Sequence, residues 1–219
     1  MVKAKYRQET GPAGAILSLI DADGTASSIY AQSLRAPQAS LRDLADAVHA
    51  LCTVHGTFPG VVEQVGAGDC DGSARIWLTS AAARMAGERN FLVRLTAAVG
   101  PLPSTPGQGA SQSAILAQRH ALEMLVRSDR SGCAIGTALA FMLDWVAVRH
   151  ILDGCASRVS LDTPGSFDEA EEEAVAALEL IVTTPAVERA MAFGAQQMLA
   201  QHRGLWQLLK ARSAARSAA

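Results

Sequence analysis

Residues 131–155 read SGCAIGTALAFMLDWVAVRHILDGC, and this stretch decides the fold. It is too long for one strand, and Cys133, Thr137, Ala140, Val148, Ile151 and Cys155 share one face when the chain turns by about 100° per residue. Its uncharged part, 131–143, is too short to cross a bilayer and ends at Asp144. A carboxylate thus lies on the apolar face of a core helix. Unpaired, it would be too costly to bury, so the segment predicts both a helical bundle and a partner for Asp144.

The flanks agree with a bundle. Upstream, a fourth helix over 111–128 is joined to this fifth one by the short turn 128–132, which makes the two antiparallel neighbours. Before it, GPLPSTPGQ (100–108) carries Pro101, Pro103 and Pro106 and forbids helix. A long helix is expected over 73–99 and a short one over 59–65. Leu41, Leu44, Val48, Leu51 and His55 recur at helical spacing between Ser40 and the stop at Gly56. Within the N-terminal segment, 1–36, residues 13–20 and 25–34 flank the turn Asp21-Ala22-Asp23-Gly24 and form either a hairpin or two short helices, the second being the preferred reading. Downstream, Ser166 with Glu169 forms a capping-box pattern opening an acidic helix. Thr184 and Pro185 open a last helix to Arg212, and the Ala/Ser/Arg tail, 213–219 above all, is expected to fray. The prediction is one all-α domain over 1–219, a bundle of six to seven helices.

A chain of 219 residues can bury about 70% of its unfolded surface without disulfide or metal. Hydrophobic residues make up 49% and aromatic residues only 5%, so the core is built from Ala, Leu, Val and Ile at close helix separations. A net charge of −2, with the arginines scattered, gives no electrostatic reason to bind nucleic acid or an anionic membrane. The polar N-terminus lacks the apolar core of a secretory signal, so a cytoplasmic protein is expected. Cys52, Cys70, Cys133 and Cys155 have no CxxC spacing and are read as reduced thiols.

Motifs with known chemistry fail one by one. The Asp-Gly pairs at 21–24 and 69–72 are turns, because an EF-hand frame would place Leu19 or Ala67 at the first ligand position. A di-metal carboxylate bundle needs inward ExxH pairs. The nearest substitutes in this chain are Asp46-x-x-His49 and His120-x-x-Glu123, both on predicted polar faces. Arg119, Glu123 and Arg127 form an i,i+4 ladder there, and no metal or other cofactor is expected. His55, at the last turn before Gly56, is read as a helix cap. No GxSxG elbow and no phosphate loop occur.

Four polar residues survive. Arg84 and Glu88 fall one turn apart inside the apolar arc defined by Trp77, Ala81, Phe91, Leu95 and Val99. Gln118 lies between the angular positions of Leu122 and Leu125. Together with Asp144, they are expected to converge, with Arg84 bridging the two carboxylates and Gln118 completing the hydrogen bonds. Such a cluster is either a polar network that sets helix register or the lining of a ligand pocket.

The stretches GPLPSTPGQ (100–108), QRHALEML (118–125), SDRSGC (128–133) and the Asp144-Trp145 pair resemble an uncharacterised all-helical alphaproteobacterial family. That resemblance covers the middle third of the chain and implies no activity. In helix count and length the bundle is also similar to ferritin-like and haem-oxygenase-like folds, an analogy that does not carry function. The function expected from these readings is binding of a small organic ligand in a partly polar interior, by a homodimer whose small-residue helix faces pair. Alternatives are a metal-dependent oxidoreductase and a protein-interaction module built on the acidic stretch 168–173.

Overall fold

The computed structural model describes residues 12–68, 72–181 and 184–218; Asp69 and Cys70, named above, lie outside them. Every regular element among these residues is helical: α1 Pro12–Asp23, a 3-10 turn Thr25–Ser27, α2 Ile29–Leu34, α3 Leu41–His55, α4 Val61–Gly66, α5 Gly72–Ala98, α6 Gln108–Val126, α7 Cys133–Arg158, α8 Asp168–Leu180 and α9 Pro185–Ser217. The expected count of six to seven is corrected to nine α-helices among the described residues, because the N-terminal segment contributes α1 and α2.

Local chemistry explains the boundaries. Ser28 Oγ accepts the Ala31 N–H to start α2, and the Gly60 N–H donates to Glu63 Oε2 at the head of α4. Gly107 and Gly132 take positive φ, +71° and +94°, immediately before α6 and α7. Thr184 caps α9 through the Val187 N–H with Pro185 as its first residue, as its sequence signature predicts. The capping box at Ser166 does not form with Glu169. Ser166 Oγ accepts from the Asp168 N–H and donates to the Asp168 carboxylate instead.

The centre of the molecule is α7, in contact with α1, the 3-10 turn, α3, α4, α5, α6, α8 and α9. By length and composition α7 could cross a membrane, but 78% of its most apolar window is buried by the other helices. Its closest packing is against α9. A Cβ added to Gly136 would stand 2.1 Å from the Met191 carbonyl oxygen, and one added to Gly194 would stand 2.1 Å from that of Cys133. The two backbones touch there, which only glycine permits. The tail expected to fray is helical through Ser217, because Arg212, Ser213 and Arg216 on α9 bond to Asp43 and Asp46 on α3.

Candidate functional site

The four residues singled out by sequence do not meet. Arg84 reaches the other way, to Glu173 on α8 at 2.8 Å and towards Glu169 at 3.8 Å. That correction also engages two acids of the 168–173 stretch. Glu88 is buried, as its position in the apolar arc implies, but its oxygens take the Trp145 indole N–H at 2.9 Å and Arg149 Nη1 at 2.7 Å. Arg149 also donates to Asp153 and the Pro164 carbonyl and lies over the Phe91 ring. Burial pushes the Glu88 carboxyl above the usual carboxylate range, with Trp145 and Arg149 opposing it. Gln118 is half-buried on α6 beside Gly204 of α9, and its Oε1 has no partner among the described residues.

Asp144 is 1% exposed and stands at one end of a different chain of polar groups. Its Oδ1 accepts the Thr25 backbone N–H at 2.5 Å, and its Oδ2 accepts the Thr25 hydroxyl and the His202 Nδ1–H, each at 2.6 Å. Trp206 Nε1 donates to the same hydroxyl at 2.9 Å. Beyond, His202 Nε2 lies 3.0 Å from His55 Nε2. The approach needs Gly24, since a Cβ there would sit 2.8 Å from Asp144 Oδ1. The 3-10 turn supplies Thr25, α7 supplies Asp144, α9 supplies His202 and Trp206, and α3 supplies His55.

The protons follow from the partners. A carboxylate only accepts, so His202 carries a hydrogen on Nδ1, and in the neutral tautomer that follows its Nε2 offers a lone pair. His55 must then donate from Nε2, which leaves a lone pair on its Nδ1, to which no described residue hydrogen-bonds. Burial, and secondarily the His202 ring, hold His55 well below the ordinary imidazole pKa, so it is neutral at pH 7. The ring rests tilted against Phe141, 5.0 Å between centroids, and edge-on to Trp145 at 5.4 Å. The helix-cap reading of His55 is therefore corrected: it is buried and engaged in the interior.

His55 is also a wall of a cleft between α3, α4, α5 and α6. Val54, Met85, Leu122 and Phe141 give the cleft its apolar lining, and two ion pairs flank it: Glu63 with Arg89 at 2.6 Å and Glu123 with Arg119 at 3.5 Å. Counting its open mouth, the cleft holds about 410 Å³, of which about 20 Å³ is room for water-sized molecules. That room is about enough for one water. Anything larger occupies the mouth.

A second buried cluster corrects the polar-face reading of Asp46, which is 1% exposed. Arg212 binds it through Nε and Nη2 at 2.9 to 3.1 Å, and Arg216 bridges it to Asp43 with two bonds of 2.6 Å. His49 bonds the Gly100 carbonyl. His120 stays on the surface near Glu123, and of the two arginines expected to flank Glu123 only Arg119 pairs with it among the described residues. Among those residues no group of three or more His, Cys, Asp or Glu side chains is placed to hold a metal ion.

Sequence reasoning missed His202, Thr25, Trp206 and Arg149. His202 had a readable signal. Met191, Ala195, Met198, Leu205 and Leu209 recur at three- and four-residue steps on α9, and His202 interrupts that stripe as Asp144 does on α7. Thr25 had none, lying in a turn. No curated protein matches the sequence. A family match runs over residues 20–217, nearly the whole bundle and the buried clusters of Glu88, Asp144 and Asp46, and by it the chain belongs to DUF6975, a family of unknown function.

Proposed function

We propose that the protein binds a small organic molecule in the cleft at His55. One observation carries this reading: the Asp144 chain is built unlike the other buried ionic groups and ends on a cleft wall. Glu88 has Arg149, and Asp46 has Arg212 and Arg216, so those clusters are closed pairs of carboxylate and guanidinium. Such pairs serve helix register. Among the described residues Asp144 has no Arg or Lys partner; it is answered by Thr25 and by two imidazoles in series, the second of which lines the cleft. A neutral imidazole lone pair, apolar walls and two flanking ion pairs suit a small polar molecule presenting an N–H or O–H group to His55. The burial of α7 supports a soluble, cytoplasmic setting for this role.

The test is NMR with a panel of small acids, amides and alcohols, read at the amides of His55, Gly60 and Gln64. Binding is expected to move these signals in the native protein and not in Leu122→Trp, which fills the cleft. A saturating panel that moves none of them overturns the reading.

A further inference from the structure

We propose that Asp144, His202 and His55 form a proton relay that makes the cleft a site of general-base chemistry, accepting a proton from a bound molecule and lodging it on His202. The inference rests on the ligand reading for its substrate and on the geometry alone for the relay. The three groups are joined by contacts of 2.6 and 3.0 Å, both within proton-transfer reach. They run from a carboxylate that no described Arg or Lys neutralises to the wall of a cleft.

The step balances. A weak acid in the cleft, an O–H or a C–H beside a carbonyl, loses its proton to His55 Nδ1. The His55 Nε2–H bond breaks and that proton bonds to His202 Nε2. His55 stays neutral with its hydrogen moved to Nδ1, and His202 becomes an imidazolium held through Nδ1–H against Asp144 Oδ2. The electron pair of the broken bond stays on the substrate as an oxyanion or enolate. The charged groups facing His55 and the cleft are Glu63 from α4, Arg89 from α5, Arg119 and Glu123 from α6, with His202 from α9 and Asp144 from α7 behind it. Arg89 and Arg119 are the cations on the same walls for the new anion. The positive charge thus arises beside Asp144 and not at His55, where burial opposes it.

The full chain, labelled with 15N in its histidine rings, reads the relay directly as pH is lowered. Expected at neutral pH are the Nε2–H tautomer of His55 and the Nδ1–H tautomer of His202. On acidification His202 is expected to become doubly protonated while His55 switches to its Nδ1–H tautomer. An imidazolium at His55 with neutral His202, or no change at either ring before unfolding, overturns the relay. Asp144→Asn gives a second reading. Its amide N–H turned towards His202 would make Nδ1 the acceptor, move the His202 hydrogen to Nε2 and force His55 into the Nδ1–H form at neutral pH. An unchanged His55 tautomer in the folded variant overturns the coupling. Fragment binding at Gly60 and Gln64 separates the two readings: binding without the tautomer switch removes the relay alone, and the switch without binding removes the ligand site alone.

Discussion

Without its guanidinium, Arg149 would leave the Glu88 carboxylate in a site only 3% exposed with no cation. Arg149→Met is therefore expected to cost about 3–5 kcal/mol in chemical denaturation. Arg84 meets Glu173 where the carboxylate side chain is 41% exposed, and Arg84→Met is expected to cost under about 1 kcal/mol. Arg84 looks internal from its spacing, but a residue at the edge of an apolar arc can turn a long side chain towards either neighbouring helix. Asp144 was legible because a carboxylate in the middle of a core helix needs a partner. Arg149 was not, because α7 is covered on so many sides that no polar face stands out. His55 adds a pH dependence of definite sign. Its folded pKa lies below the unfolded value of about 6.5, so below that pH the unfolded chain holds the extra proton and stability falls by up to about 1.4 kcal/mol per pH unit. The raised Glu88 pKa acts oppositely, adding stability as pH falls through the carboxylate range. His55→Phe is expected to flatten the decline in denaturation midpoints between about pH 6.5 and pH 5.

Helices three and longer were readable from punctuation, since Gly56, the prolines of 101–106 and the Thr184-Pro185 pair each stop or start the backbone for a known reason. Spacing could not show which glycines within helices hold elements together. Gly136 and Gly194 are where α7 and α9 make backbone contact. Gly136→Ala or Gly194→Ala is expected to destabilise by about 1–3 kcal/mol or more, because the clash is with backbone that no rotamer change relieves. Gly87 and Gly154, also helical, have nothing within 4 Å of an added Cβ. Alanine at either is expected to stabilise by about 0.5–1 kcal/mol through helix propensity. Thermal melts of the four variants distinguish contact from propensity; stabilisation by all four would show that the α7–α9 crossing is looser than described.

For the whole molecule, two sequence errors were one. Asp46 was placed in solvent and the tail was left to fray, but the tail's arginines are what bury Asp46. A polar helix face predicts solvent only when no other polar element covers it. Deleting residues 211–219 is expected to cost about 3–5 kcal/mol, because Asp46 loses both cations; a truncated protein of unchanged denaturation midpoint would show the pair to be incidental. The same arrangement has a consequence during synthesis. α9 carries His202 and Trp206 for the Asp144 chain, Arg212 and Arg216 for Asp46, and Gly194 for the contact with α7. A nascent chain that has emerged only through α8 thus holds two carboxylates bound for the interior, with none of their α9 partners yet made. Asp144 cannot meet its α9 partners until residue 206 has left the ribosomal tunnel, nor Asp46 until residue 216 has, so folding of this bundle waits on α9 and a stalled chain would expose α7 to chaperones or proteases.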